Sequence, residues 1–257
     1  MLRRQISKSR KRFRTRASAF RKTVNIAALT TALTLGLAGA SSANPTGAEL
    51  RSGQVHIAPG VNTQIQQLTD RAIIDWQSFS IGNGESVRFF QPGTQSVILN
   101  RVVGADPSQI LGTLTANGNV FLINTNGILF GPNSVVNVGG LVASTLNISD
   151  EDFLKGNYTF VLDEGSPLAA VINQGTIKVS KAGYAVLTGP TVINEGLIVA
   201  RTGKIVLGAT ERTTLNLDGR DLVHYALGSE RTEGTTLLSQ GDVSQALLDT
   251  LGVAPNR

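Results

Sequence analysis

The chain has 257 residues, no cysteine, two histidines and a formal net charge of +5. The absence of cysteine excludes a disulfide framework and thiolate metal sites, so stability must come from burial and backbone hydrogen bonds. The basic balance excludes less than it suggests: ten Lys/Arg fall within residues 1–22, all 18 acids follow Ala43, and residues 44–257 carry 13 Lys/Arg against 18 Asp/Glu, a net of −5. Beyond the leading segment there is no electrostatic case for a nucleic-acid partner.

That leading segment reads as a secretory signal. After the basic start, IAALTTALTLGLAGA runs from Ile26 to Ala40, and the small residues Ser41-Ser42-Ala43 follow. A charged start, a short apolar middle and a small-residue exit are the pattern of an export signal. The apolar part has 15 residues, several of them Thr or Gly, too short and too polar for a good membrane span. A disordered basic arm on nucleic acid explains the arginines, but not the apolar run or the small-residue exit behind them. The expected layout is a signal over 1–43, a folded domain over 44–231 and a tail over 232–257. A cysteine-free chain also cannot be locked by premature disulfides before crossing a second membrane, which suits two-step export.

From residue 44 onward, apolar residues come in short β-branched clusters. They are QVHI (54–57), SVRFF (86–90), SVILNRVV (96–103), NVFLI (119–123) and SVVNV (134–138), then TIKVS (176–180), AVLTG (185–189), LIVA (197–200) and KIVLG (204–208). Their alternation suits strands with one face inward. Asn-Gly, Gly-Asn, Pro-Gly and Gly-Pro pairs between them are turn chemistry, and much of the glycine is expected where φ is positive. Two stretches break the pattern. In NISDEDFLKGNYTF (147–160), Ser149 is placed to cap a short helix whose first turn holds Asp150, Glu151 and Asp152, where negative charge meets the positive helix end. In the tail, SQALLDTLGV has weak helical character.

A repeat selects the architecture. Val171-Ile172-Asn173-Gln174-Gly175 recurs as Val192-Ile193-Asn194-Glu195-Gly196, a shift of 21 residues, and IKVSKAGYAVLTG aligns with LIVARTGKIVLGA over 13 positions. A period near 20 with several strands and no helix per unit indicates a solenoid whose unit cannot bury its own core. The expected fold is all-β, a right-handed parallel β-helix of about 20–21 residues per coil, each coil stacking on the last at about 4.8 Å. An antiparallel sandwich would show hairpin turns at closer spacing without this register. An open end of such a stack is a hazardous edge, so Leu50–Trp76 is expected to fold over the N-terminal end as a cap.

Catalytic chemistry finds little support. His56 and His224 have no metal-ligand neighbours in sequence, and serine-hydrolase, zinc-protease and P-loop motifs are absent. Asp150-Glu151-Asp152 lacks the alternation of a calcium loop, so helix capping is the better reading. A β-helical polysaccharide lyase is the enzymatic alternative. It would need acidic calcium ligands beside Lys/Arg on neighbouring coils, whereas the repeated coils offer Lys178, Lys181, Arg201 and Lys204 without acidic neighbours. A shift of 21 sets Lys178 beside Val199 and Lys181 beside Thr202, so the cations do not stack. No catalytic residue, metal site or cofactor is expected.

The most distinctive segment is NGNVFLINTNGILFGPNSVVNVGGLVAST (117–145). Between the apolar strands FLI and ILF, Asn126-Gly127 reads as a tight turn, since both residues tolerate left-handed geometry. The amides of Asn124 and Asn126 can satisfy backbone groups that a parallel corner leaves unpaired. Gly131-Pro132-Asn133 reads as a further turn and Val138-Gly139-Gly140 as a close-packed corner. These residues shape a coil, and they also offer a corner that an export partner could recognise.

FLINTNGILFG resembles the Asn-Pro-Asn-Gly-Ile signature in the secretion domain of filamentous haemagglutinin-like exoproteins, the passengers of two-partner secretion. From IIDWQSFSIGNGESVRFF through NISDEDF the sequence is similar to the branch that includes high-molecular-weight adhesins, and with the long basic signal the resemblance covers nearly residues 1–220. Thr125 stands where the signature has proline, which leaves Asn124, Asn126, Gly127 and Ile128 in place. The family's second motif, Asn-Pro-Asn-Leu, is absent, and Gln91-Pro92-Gly93-Thr94-Gln95 occupies that region. Such exoproteins run for many hundreds of residues, so a fragment, a truncated reading frame or an unusually short exoprotein is expected. The resemblance implies a non-enzymatic, secreted or cell-surface adhesin or haemagglutinin module. Its partner would be an outer-membrane β-barrel transporter with periplasmic capture domains, and membrane contact would be transient, during export only. The host or neighbouring-cell receptor stays open.

Overall fold

The computed structural model describes residues 44–216 and the backbone of Val223–His224; the expected signal and the 232–257 tail, with its weakly helical stretch, lie outside the described residues. Two strands precede the first coil, β1 (Glu49–Ser52) and β2 (Val55–Ala58). Two coils follow, made of β3 (Asn62–Gln67) and β4 (Arg71–Trp76), then β5 (Ser86–Phe90) and β6 (Val97–Val102). The next two have three strands each: β7 (Ser108–Ile110), β8 (Thr113–Ala116) and β9 (Asn119–Ile123), then β10 (Ile128–Phe130), β11 (Val135–Val138) and β12 (Gly140–Ser144). An excursion holds helix α1 (Asp150–Lys155) and β13 (Tyr158–Val161). The coils then resume as β14 (Ala170–Asn173), β15 (Thr176–Val179) and β16 (Tyr184–Gly189), followed by β17 (Thr191–Asn194), β18 (Leu197–Ala200) and β19 (Lys204–Ala209). Strands β20 (Arg212–Leu215) and β21 (Val223–His224) close the described part.

These strands stack into a parallel β-helix. One seven-stranded sheet runs β1-β4-β6-β9-β12-β16-β19, a second runs β2-β3-β5-β8-β11-β15-β18, and a four-stranded sheet runs β7-β10-β14-β17. All pairings between successive coils are parallel, and the inward side chains, among them Ile74, Val87, Leu122, Val136, Val171 and Leu187, make one continuous core. The expected fold class is therefore the observed one. Coil length is regular only toward the C-terminal side. Asn173 meets Asn194 at an offset of 21, whereas Asp75 meets Arg101 at an offset of 26, because longer corners feed the first coils.

Three details differ from the expectations. The cap is narrower than Leu50–Trp76. Only β1 and β2 run antiparallel to the stack, on β4 and β3, while β3 and β4 themselves pair in parallel with β5 and β6 as coil strands. Val55 and Ile57 of β2 pack on the end of the inner core. The 13-position alignment slips by one residue in its first strand. Ile177 pairs with Ile198 and Ala185 with Ile205, so the shorter corner 201–203 absorbs the difference from 180–183, and Lys178 does lie beside Val199. Glycine also has a second use beyond positive φ. A Cβ on Gly139, Gly183 or Gly203 would collide with the carbonyl oxygen of Gly118, Gly139 or Gly183 one coil below, and none of these glycines has positive φ. This corner is narrow because successive coils leave no room there.

The excursion is a cover. The middle of sheet β1-β4-β6-β9-β12-β16-β19, from β4 to β16, is buried on both faces. Its outward Leu99, Phe121, Val142 and Val186 meet Phe153 of α1, Tyr158 and Phe160 of β13, and Leu215 of β20 in a second core. Phe121 lies 5.6 Å from Phe153 and 5.1 Å from Tyr158, centroid to centroid, geometries favoured between aromatic rings. Helix α1 starts as expected: Ser149 is its N-cap, accepting from the Asp152 N–H, with Asp150, Glu151 and Asp152 in the first turn and Gly156 closing it at φ +80°. Two arginines fasten the cover. Arg71 donates to the Phe153 carbonyl and the Tyr158 hydroxyl, and Arg101 binds Asp75 at 3.2 Å, Asp150 at 2.7 Å and the Ile148 carbonyl at 2.6 Å.

Candidate functional site

The Asn124-Thr125-Asn126-Gly127 corner carries the chain from the end of β9, in the doubly buried sheet, to β10, in the short sheet. Two very apolar strands force the backbone to turn within four residues, and the turn is held by the corner's own amides. Asn124 is fully buried. Its Oδ1 accepts from the Asn126 N–H at 2.9 Å, an Asx turn, and its Nδ2 donates to the Asp106 carbonyl and to Ser108 Oγ, both at 3.0 Å. The Asn124 N–H reaches up to the Ser144 carbonyl of the next coil at 3.0 Å. Asn126 Nδ2 donates down to the Gly104 carbonyl at 2.9 Å.

Gly127 donates to the Asn124 carbonyl, accepts from the Ser108 N–H at 2.9 Å, and takes φ +121°. Here glycine serves the backbone angle, since a Cβ would meet nothing closer than 3.6 Å. Asn126 does not share that geometry, contrary to the expectation for the turn: among the described residues, non-glycine positive φ occurs only at Ala182 and Thr202. Ile128 points into the inner core, with Ser108 below it and Val171 above it. The structure thus brings all four signature residues together, and their polar atoms bind the coils on either side. Thr125 is half-buried at the same corner.

Further buried amides pin other corners. Gln91 donates to Gln67 Oε1 at 3.0 Å and accepts from the Gly118 N–H, and Asn173 donates to Asn194 Oδ1 at 2.7 Å. The last pair explains the asparagine in the 21-residue repeat: the two copies bond to each other. Stacked amides satisfy corner backbone groups that would otherwise be buried without partners.

The carboxylates of the acidic triplet are already engaged. Asp150 pairs with Arg101, Glu151 with Lys155 and Asp152 with Ser149, so the acidic triplet serves the helix start. Among the described residues no three His, Cys, Asp or Glu side chains come together as a metal site. His56 stands on the exposed β2 strand and His224 on β21, in different sheets. One carboxyl is perturbed. Burial against the cover pushes Asp75 above the usual carboxylate range, Arg101 and Arg51 pull it down, and Asp150 adds to the upward push. Sequence reasoning missed the Arg71 and Arg101 fastenings. The available signal was a charged residue within or beside an otherwise apolar strand, as in RAIIDW and VILNRV.

A family model described as the TPS secretion domain matches residues 41–252. The chain belongs to the TPS secretion domain family. It is 39% identical over 181 residues to a heme/hemopexin-binding protein of Haemophilus influenzae, covering 67% of this chain and 20% of that protein. A second H. influenzae protein of the same description is 44% identical over 96 residues, 37% of this chain and 10% of that protein. Among solved structures, the secretion domain of HMW1 from H. influenzae aligns with a TM-score of 0.66 and 38% identity, over 70% of this chain and 47% of that one. The chain therefore spans about a fifth of the first of these relatives. Membership makes this TPS domain part of a two-partner secretion substrate, exported through the periplasm to the cell surface or the medium. The family is not a known enzyme family, and the lyase alternative has no support from it.

Proposed function

We propose that this TPS domain is the non-enzymatic targeting and nucleating module of an adhesin or haemagglutinin. In this reading it is captured by the periplasmic domains of a partner outer-membrane β-barrel transporter and folds on the far side. The supporting observation is the asymmetry of the two ends. At the N-terminal end, β1 and β2 close the stack with antiparallel strands. At the C-terminal side of the described stack the inward residues Ile205 and Leu207 stay 47% exposed, although Ala185 and Leu187, their partners one coil below, are fully buried. A closed start and an apolar, parallel growing end suit a stack that adds coils in one direction. Burying each such side chain is worth about 1.5–3 kcal/mol, which disfavours sliding back once a coil has added.

In this reading the Asn124–Ile128 corner contributes to recognition by fixing the shape of the coil, since its amides are engaged within the molecule. The test is secretion with and without the partner transporter, comparing wild type with Asn124→Ala and Asn126→Ala. Transporter-dependent release of wild type, with both variants retained in the periplasm, is the expected result; release independent of the transporter would overturn the reading. Circular dichroism of the purified variants separates a lost fold from lost recognition.

A further inference from the structure

The outward face of sheet β2-β3-β5-β8-β11-β15-β18 differs from the covered sheet in its chemistry. No strand of this sheet contains an acid, although residues 44–257 are net acidic. Gln64, Arg88, Thr115, Asn137 and Lys178 are paired in register from one coil to the next, forming one outward column. Among the described residues, none of these five side chains makes a hydrogen bond or ion pair within the protein. This contrasts with the corner amides of Gln67, Gln91, Asn124 and Asn173, which are all engaged. Beside the column stands Phe90, 40% exposed, with the Arg88 guanidinium 4.7 Å from its ring centroid. Shallow depressions of about 420 and 380 Å³ flank that ring.

We propose that this strip binds an acidic polysaccharide, a chain of carboxylate-bearing sugars lying across the coils. The exposed aromatic ring supplies an apolar platform for the face of a sugar. The guanidinium over it keeps its N–H edge free for a bidentate carboxylate. Thr115 and Asn137 carry donors and acceptors for hydroxyls at successive coils, and Lys178 places a second cation three coils beyond Arg88, about 14 Å away at the coil spacing. A peptide would dock on a strand edge through its backbone; this is a sheet face, where side chains must make the contacts. Two free cations are too few to follow a nucleic-acid backbone with useful affinity.

The experiment is calorimetric titration of protein purified from the culture medium with a galacturonic acid hexamer, and with cellohexaose as the neutral control. The expected result is saturable binding of the acidic hexamer, at least tenfold tighter than the neutral one. Phe90→Ala, Arg88→Gln and Lys178→Gln should each weaken it at least fivefold, and Arg212→Gln, on β20, should leave it unchanged. All four positions are exposed, and melting curves check that the variants fold. The proposal is overturned by absence of binding, by binding that Phe90→Ala and Arg88→Gln leave intact, or by an equal loss with Arg212→Gln, which would mark general charge attraction. It is also overturned if the hexamer does not bind while the strip variants block secretion, because the face then belongs to the transporter.

Discussion

Sheets β1-β4-β6-β9-β12-β16-β19 and β2-β3-β5-β8-β11-β15-β18 are built from the same coils, yet they differ in every property that packing controls. The first is sandwiched between the inner core and the cover of α1, β13 and β20, and all five residues of β9 are buried. The second faces its own core on one side only, so β3 alternates strictly between exposed and buried residues. The parallel ladder is common to both; what separates them is whether a second layer arrives. One sheet therefore reads as apolar runs and adds a second core, while the other alternates, sharing the inner core and keeping its outward side chains largely exposed.

Phe121→Ala tests the covered side most severely. It removes the ring that α1 and β13 pack around and should cost about 3–5 kcal/mol, read from urea unfolding. A loss below 1 kcal/mol would mean the cover adds little. Ser149→Ala is expected to be next, at about 1 kcal/mol, since it deletes the N-cap of α1 while leaving the stack intact. Amide exchange should then rise in the cover and stay unchanged in the coils.

The Asp75 carboxyl sits at the seam between the covered sheet and its cover. Its affinity for a proton is raised in the folded state by burial, so its contribution to stability is fully present below the ordinary aspartate range and is lost as pH rises through its folded value. Asp75→Asn should therefore flatten the pH dependence of the melting temperature and raise that temperature slightly at pH 7. A fall at pH 7 would show that the Arg101 pairing outweighs the cost of burial. Asn137→Ala, on the open sheet, should change stability by less than about 0.5 kcal/mol. A larger loss there would break the distinction between the two sheets.

Much of the fold was legible. The nine apolar clusters are all strands, because alternation and turn chemistry are local properties of the chain. ILF and the two copies of VIN are strands as well. Polar NTQIQQ hides a strand, β3, because its outward residues Asn62, Gln64 and Gln66 are all exposed amides, and the expected cap therefore extends too far. The candidate corner was found from Asn124, Asn126 and Gly127, but the partners of its amides, at Gly104, Asp106 and Ser108, lie 16 to 22 residues back and leave no local mark.

The sequence by itself determined the β-helix, the coil length of its C-terminal coils, the Ser149 helix start and the family, since each follows from periodicity, turn residues, capping or a run of recognisable motif. Only the tertiary structure decided which sheet is covered, where the cap ends, where the repeat drops a residue, and which amides are engaged and which are free. Those outcomes depend on pairs such as Arg71 with Tyr158 and Phe121 with Phe153, far apart along the chain. Stacking and layer packing bring them together, and no local rule of composition or period records that meeting.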